Sequence, residues 1–208
     1  LAAVAAGLMF LTYGAADGVS AIDVLRSVLI LLSTWWLAWG AVTALLGLTS
    51  RHRPAPLRAT GPIRGRTVVI VPVYNEDPVD TFARIAAMDA SLRAAGTPAH
   101  IDFAVLSDTT NDAVAAREQQ WFARLMAQQN GAGRMFYRRR TQNTGRKAGN
   151  IEEFITTSGG AWDYALILDA DSLMEGETII EMIRRIEGDP RLGLLQTLPK
   201  VIRARSRF

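Results

Sequence analysis

Leu166–Leu173 reads LILDADSL, a short apolar run that breaks into two aspartates held one small residue apart. The four apolar residues Ala165 to Leu168 predict a strand buried on both faces, with the polar burst at its C-terminal end. That edge is where open parallel sheets bind ligands. With only Ala170 between them, Asp169 and Asp171 can converge on one cation. Carboxylates are hard oxygen ligands suited to magnesium or manganese, ions that complete their shell with water and substrate phosphates. The pattern therefore predicts a nucleoside diphosphate as ligand. A strand-to-helix turn also carries Asp or Ser as an ordinary cap, so the neighbouring strand ends decide between the two readings.

Working outward, the same unit recurs. Thr67–Val73, TVVIVPV, is a branched apolar run typical of a strand covered on both sides, and it ends in Tyr74, Asn75, Glu76, Asp77 and Pro78. Phe82, Ile85, Met88 and Leu92 then follow at helical spacing up to Gly96. His100 to Leu106 predicts a second strand, with Ser107 and Asp108 at its end, and 112–130 a second helix closed by Gly131. A third strand over 135–138 leads through a basic loop to a helix near 150–157. The aspartate pair ends the fourth strand, a helix covers 177–187, and 192–198 predicts a fifth strand. This alternation implies an α/β fold, a mainly parallel sheet with helices on both faces.

Three polar loops then share one edge. Tyr74 could stack on a base and Glu76 accept from a base or ribose; as a lone feature, Tyr74 is equally a half-buried core aromatic. Asp108 could face the ligand or cap the following helix. The loop Arg138–Arg140, with Gly145, Arg146, Lys147, Ala148 and Gly149, brings positive charge and small residues where backbone comes close. A departing diphosphate gains negative charge, so Arg146 or Lys147 would stabilise that transition state. Asn150 with Glu153 three residues on fits a capping box.

The first half of the N-terminal region is apolar. Residues 1–16 carry no charge and are expected to be the tail of a truncated membrane helix, and Ser27–Leu48 gives 22 uncharged residues, enough for the roughly 20 that cross a bilayer. Trp35, Trp36 and Trp39 fall in mid-span, which predicts packing against other helices rather than an interfacial belt. Arg51, Arg53, Arg58, Arg64 and Arg66 follow without an acidic residue before Glu76, whereas Asp17 and Asp23 lie between the apolar runs. By the positive-inside rule the part after Leu48 faces the cytoplasm. Pro54, Pro56 and Pro62 suit an extended connector. The expected organisation is two transmembrane helices over 1–50, a basic cytoplasmic linker over 51–66, and an α/β domain over 67–208.

Composition removes several classes. The 208 residues include no cysteine and only two histidines, His52 and His100, which excludes disulfides and thiolate metal sites and leaves no zinc pattern. Net charge is only +3. The run Arg138–Arg140 lacks the interleaved aromatics of a nucleic-acid surface, so no nucleic-acid partner is expected.

The strings VPVYNEDP, LSDT, RRRTQNTGRKAGN, LDADSLMEG and LLQTLP, in that order over about 68–199, resemble the family 2 glycosyltransferases of GT-A fold, and within them the membrane glucosyltransferases of osmoregulated periplasmic glucans. The resemblance implies an inverting enzyme of the inner membrane, multi-pass, that uses UDP-glucose and Mg2+ or Mn2+ to lengthen a β-glucan and export it. Tyr74 and Glu76 would line the uracil pocket, Asp108 the nucleoside side, and Lys147 the diphosphate, with Asp169 and Asp171 holding UDP and its metal. Beyond the growing glucan and the bilayer, it implies acyl carrier protein and periplasmic glucan-processing proteins as partners. No catalytic base is assigned within the chain, because the family's base and acceptor motifs are expected beyond Phe208; this stretch would hold a donor half-site that binds UDP weakly and transfers nothing by itself. The alternatives are a UDP-sugar-responsive scaffold and a synthase of the cellulose or hyaluronan type.

Overall fold

The computed structural model describes residues 2–13, 18, 20–49, 63–96 and 100–198. The chain divides into two compact units, 1–55 and 56–208. The linker residues Arg51, His52, Arg53 and Arg58, the three linker prolines, and Asp17 lie outside the described residues.

The first unit has two helices, α1 (Ala2–Tyr13) and α2 (Ala21–Thr49). Ser20 starts α2: its hydroxyl and backbone N–H donate to the Asp23 carboxylate, and the Asp23 N–H returns a bond to the Ser20 hydroxyl. This reciprocal cap starts the helix six residues before the uncharged run. At 29 residues and mean hydropathy 1.8, α2 reaches about 43 Å, more than the roughly 30 Å of a bilayer core. Of the two expected spans, α2 alone among the described residues has this length; α1 covers 12 residues, in keeping with the expected tail of a helix. Trp35, Trp36 and Trp39 are all exposed on α2.

The second unit holds four parallel strands, β1 (Thr67–Val73), β2 (Ile101–Ser107), β3 (Met135–Arg139) and β4 (Tyr164–Ile167), in spatial order β3-β2-β1-β4. The chain steps outward from β1 to β3 through α3 (Pro78–Ala94) and α4 (Asp112–Gln128), then returns across the sheet through α5 (Arg146–Ser158) to β4. A constant crossover hand places helices of opposite travel on opposite faces. The two cores follow this rule. Val69, Val71, Val73, Phe103 and Val105 pack with Phe82, Ile85 and Met88 of α3 and Leu125 of α4, while Val68, Ile70, Ala104 and Leu106 pack with Phe154 of α5. Fully burying each such side chain contributes about 1.5–3 kcal/mol. The last helix, α6 (Gly176–Gly188), lays Ile179, Ile180 and Ile183 beside Leu92 of α3.

Three expectations need correction. The fourth strand is not buried on both faces: it ends the sheet, and its residues alternate between partly buried and exposed, Ile167 at 48%. Residues 192–198 run without regular secondary structure, although Gly193–Thr197 line a cleft with Tyr164–Leu168 and α6. The helix expected near 150–157 begins at Arg146, so Asn150 sits in its second turn and caps nothing.

Gly176 opens α6 where the helix meets α3. Its N–H donates to the Ser91 hydroxyl at 2.8 Å, and a Cβ there would stand 2.5 Å from Leu92 N and the Ser91 carbonyl carbon. Gly176→Ala is expected to destabilise the protein by about 2 kcal/mol because backbone cannot yield, whereas exposed Thr178→Ala stays within about 0.5 kcal/mol. Thermal unfolding of the two variants checks this.

Candidate functional site

The chain's direction of travel reverses between β1 and β4, and a parallel sheet opens a crevice at such a point. A cavity of about 840 Å³ lies there. Tyr74 and Glu76 enter it from the β1–α3 loop, Asp108 from the end of β2, Asn143, Arg146 and Lys147 from the β3–α5 loop and first turn of α5, and Asp169, Ala170 and Asp171 from the end of β4. All six residues selected from the sequence therefore line one cavity, although 97 positions separate Tyr74 from Asp171.

Each loop has a local cause. Asp77 accepts the Val79 N–H at 2.7 Å and Pro78 occupies the first turn, so α3 starts at once. Tyr74 and Glu76 are left outside the helix, and the Glu76 carboxylate accepts the Tyr74 N–H. Past β4, Ala170 turns its methyl into the core while Asp169 and Asp171 on either side remain exposed. The Ser172 N–H to Asp169 carbonyl bond closes the turn.

Asp108 is the most constrained member. Its carboxylate accepts from Arg140 Nε at 2.5 Å and Nη2 at 2.9 Å, and from Asn150 Nδ2 at 2.8 Å, while Asn143 Nδ2 donates to its carbonyl. Both side chains of the Arg140–Asp108 pair are under a tenth exposed. The bond to Asp108 raises the Arg140 pKa further above its ordinary value. Arg140 also reaches the carbonyls of Thr144 and Arg146, stapling the loop ahead of α5. That loop turns through left-handed backbone at Gly145 (φ 69°) and Arg146 (φ 52°) and lies so close to the helix that a Cβ on Gly149 would stand 2.2 Å from the Thr144 oxygen. Asp108 does not cap α4; Asn111 does, accepting from Ala113 and Val114.

The first turn of α5 has no side-chain cap, and such a turn offers N–H groups and a positive dipole end to an anion. Lys147 stands there with its ammonium bonded to Asp169. A cation thus already meets the carboxylate at the mouth of the cavity. Among the described residues no three His, Cys, Asp or Glu side chains cluster as a complete metal cage. Two exposed carboxylates with hard oxygens do suit an ion that keeps several waters and takes its remaining ligands from phosphate, which is magnesium's habit.

The sequence reading omitted Arg140 as an individual contributor, and also Asn143, Thr109 and Glu118. Glu118 was detectable: it occupies the inward stripe Ala115, Glu118, Phe122, Leu125 of α4, where helical spacing calls for an apolar residue.

Residues 68–207 match the profile of glycosyl transferase family 2. The chain belongs to this family. It is also 60% identical over all 208 residues to the glucans biosynthesis glucosyltransferase H of Cereibacter sphaeroides, covering 35% of that protein. It is 38% identical over 198 residues to the protein of the same name from Bradyrhizobium diazoefficiens, covering 92% of this chain and 26% of that one. A third of that name, from Xanthomonas oryzae pv. oryzae, is 36% identical over 199 residues, covering 92% of this chain and 31% of the relative. The chain thus spans between a quarter and just over a third of the length of these relatives.

Two measurements test this part of the glycosyltransferase domain. Arg140→Met strands a buried carboxylate and is expected to destabilise the protein by about 3 kcal/mol, whereas Arg117→Met, whose partner Asp77 is 3.7 Å away and largely exposed, costs under about 1 kcal/mol; denaturant unfolding reads both. The Tyr137 phenol is pushed up from 10.0 to about 12, first by burial and further by its hydrogen bond to the Glu118 carboxylate. A raised phenol keeps its proton longer in the folded protein, so its stabilising share is full below about pH 10 and lost as pH rises towards about 12. Phenolate absorbance is expected to show this tyrosine titrating late, and Tyr137→Phe to remove that step.

Proposed function

We propose that this chain is the donor-binding part of a membrane glucosyltransferase that takes glucose from UDP-glucose and adds it to a growing β-glucan, with the transferase domain on the cytoplasmic side of the inner membrane and the product exported. The observation that carries the reading is the convergence of Tyr74, Glu76, Asp108, Lys147, Asp169 and Asp171 on one cavity. The names of the relatives support glucan as the product, and α2 supports a membrane anchor.

The residues divide the donor between them. The exposed Tyr74 ring stacks on the base, and Glu76 accepts hydrogen bonds from the nucleoside. Asp108, locked by Arg140 and Asn150, shapes the nucleoside side of the pocket rather than moving within it. Lys147 and the uncapped turn of α5 bind the diphosphate and stabilise the charge it gains as the anomeric bond breaks. Asp169 and Asp171 would hold a magnesium or manganese ion, which supplies Lewis-acid neutralisation of the leaving diphosphate. With such an ion on Asp169, the Lys147 ammonium that pairs with this carboxylate would be free to bind phosphate. Acyl carrier protein and periplasmic processing proteins remain proposed partners on family resemblance.

Asp171→Asn in the intact membrane protein is expected to cut glucan output by at least about 100-fold and to abolish the dependence of UDP affinity on magnesium or manganese. Radiolabel incorporation from UDP-glucose and calorimetry read the two effects. Undiminished glucan output from Asp171→Asn would reject a metal-assisted transferase. Wild-type protein that binds UDP-glucose without turnover would favour a scaffold that senses the donor.

A further inference from the structure

Beneath the cavity, outside the set of residues that line it, lies a buried carboxylate that the proposed transfer does not use. Glu118 is 2% exposed. Its Oε2 accepts from the Ser107 hydroxyl at 2.7 Å and the Tyr137 hydroxyl at 2.8 Å, and its Oε1 accepts from the Thr109 hydroxyl at 2.5 Å. Three hydroxyls from β2, from the loop after it and from β3 thus converge on one side chain of α4.

A threonine hydroxyl has one proton. Because the Glu118 carboxylate takes it, the Thr109 oxygen can only accept from elsewhere, and it accepts the Asn75 backbone N–H at 2.9 Å. Asn75 is one of three non-glycine residues with left-handed backbone among those described, at φ 58°, a conformation asparagine tolerates better than most residues and that hydrogen bonds hold here. Its side chain adds to the hold: Nδ2 donates to the Thr110 hydroxyl at 3.2 Å, and Oδ1 accepts the Asn111 N–H at 3.0 Å. The residues on either side of this kink, Tyr74 and Glu76, are the two that the β1–α3 loop sends into the cavity. Arg139 fastens the other end of Thr109, Nε to its carbonyl at 2.9 Å.

We propose that Glu118 is a positioning residue: by orienting the Thr109 hydroxyl it fixes the Asn75 kink, and so sets where Tyr74 and Glu76 meet the nucleoside. The proposal rests on the reading of the cavity as a nucleotide-sugar site. The carboxylate suits this role better than an amide would. Glu118→Gln places an NH2 against hydroxyls that must donate, so at least one hydroxyl reverses and the set is no longer fully satisfied.

The test uses the intact membrane protein and follows Asn75 and the nucleotide separately. Thr109→Val keeps the shape and removes the hydroxyl; Thr109→Ser restores it; Glu118→Gln disturbs the same path from its buried end. Thr109→Val is expected to speed hydrogen exchange at the Asn75 amide about tenfold without nucleotide, and to raise the UDP Kd and the donor KM about tenfold, with kcat falling less than about threefold. Glu118→Gln should shift the same readouts in the same direction, and Thr109→Ser should return them to within about twofold of wild type. Unchanged exchange at Asn75 in Thr109→Val overturns the relay. Faster exchange with an unaltered UDP Kd and donor KM overturns the positioning role while leaving the nucleotide site intact, and wild-type protein that binds no UDP overturns both readings together.

Discussion

A carboxylate at the end of a central strand has to be neutralised where it stands, and the transferase domain is arranged to neutralise Asp108. Arg140 supplies a two-pronged guanidinium and Asn150 a third donor. Meeting that demand brings the loop after β3 across to the end of β2 and draws the start of α5 inward. Asn150 reaches Asp108 from the second turn of α5, which begins four residues before it, and Lys147 in the first turn lines the cavity. The placement of Lys147 and the first turn of α5 at the cavity thus has a structural origin in one buried negative charge.

Much of this arrangement was legible in the sequence. Unbroken branched runs such as TVVIVPV marked strands covered on two sides, and the alternation of strand, polar loop and helix required a parallel sheet whose polar loops share an edge. Residues nearly a hundred positions apart could therefore be assigned to one site. Family membership of 68–207 agrees with that reading, and so do helices on both faces of the sheet.

What escaped notice depends on contacts that local pattern does not encode. Arg140 looked like the third member of a basic run, and only the fold distinguishes it from Arg138, which turns to Glu153 and the Asn150 backbone, and Arg139, which turns to Asp112 and Thr109. Asn150 with Glu153 carried a valid capping signature, yet Gly145 in left-handed backbone offered an earlier start and the need to satisfy Asp108 prevailed. The fourth strand has the composition of a covered strand and an end position in the sheet, because hydrophobicity reports what a residue prefers to touch and not what lies beside it.

That end position affects handling of the protein. Among the described residues β4 pairs only with β1, and Ile167, Leu194 and Leu198 nearby are exposed. Backbone groups pointing away from β1 are a template for any extended peptide that arrives, including the same strand of another molecule. The transferase domain handled by itself would therefore be prone to cling to itself, and a lysine introduced on that rim would be the simplest way to keep it dispersed.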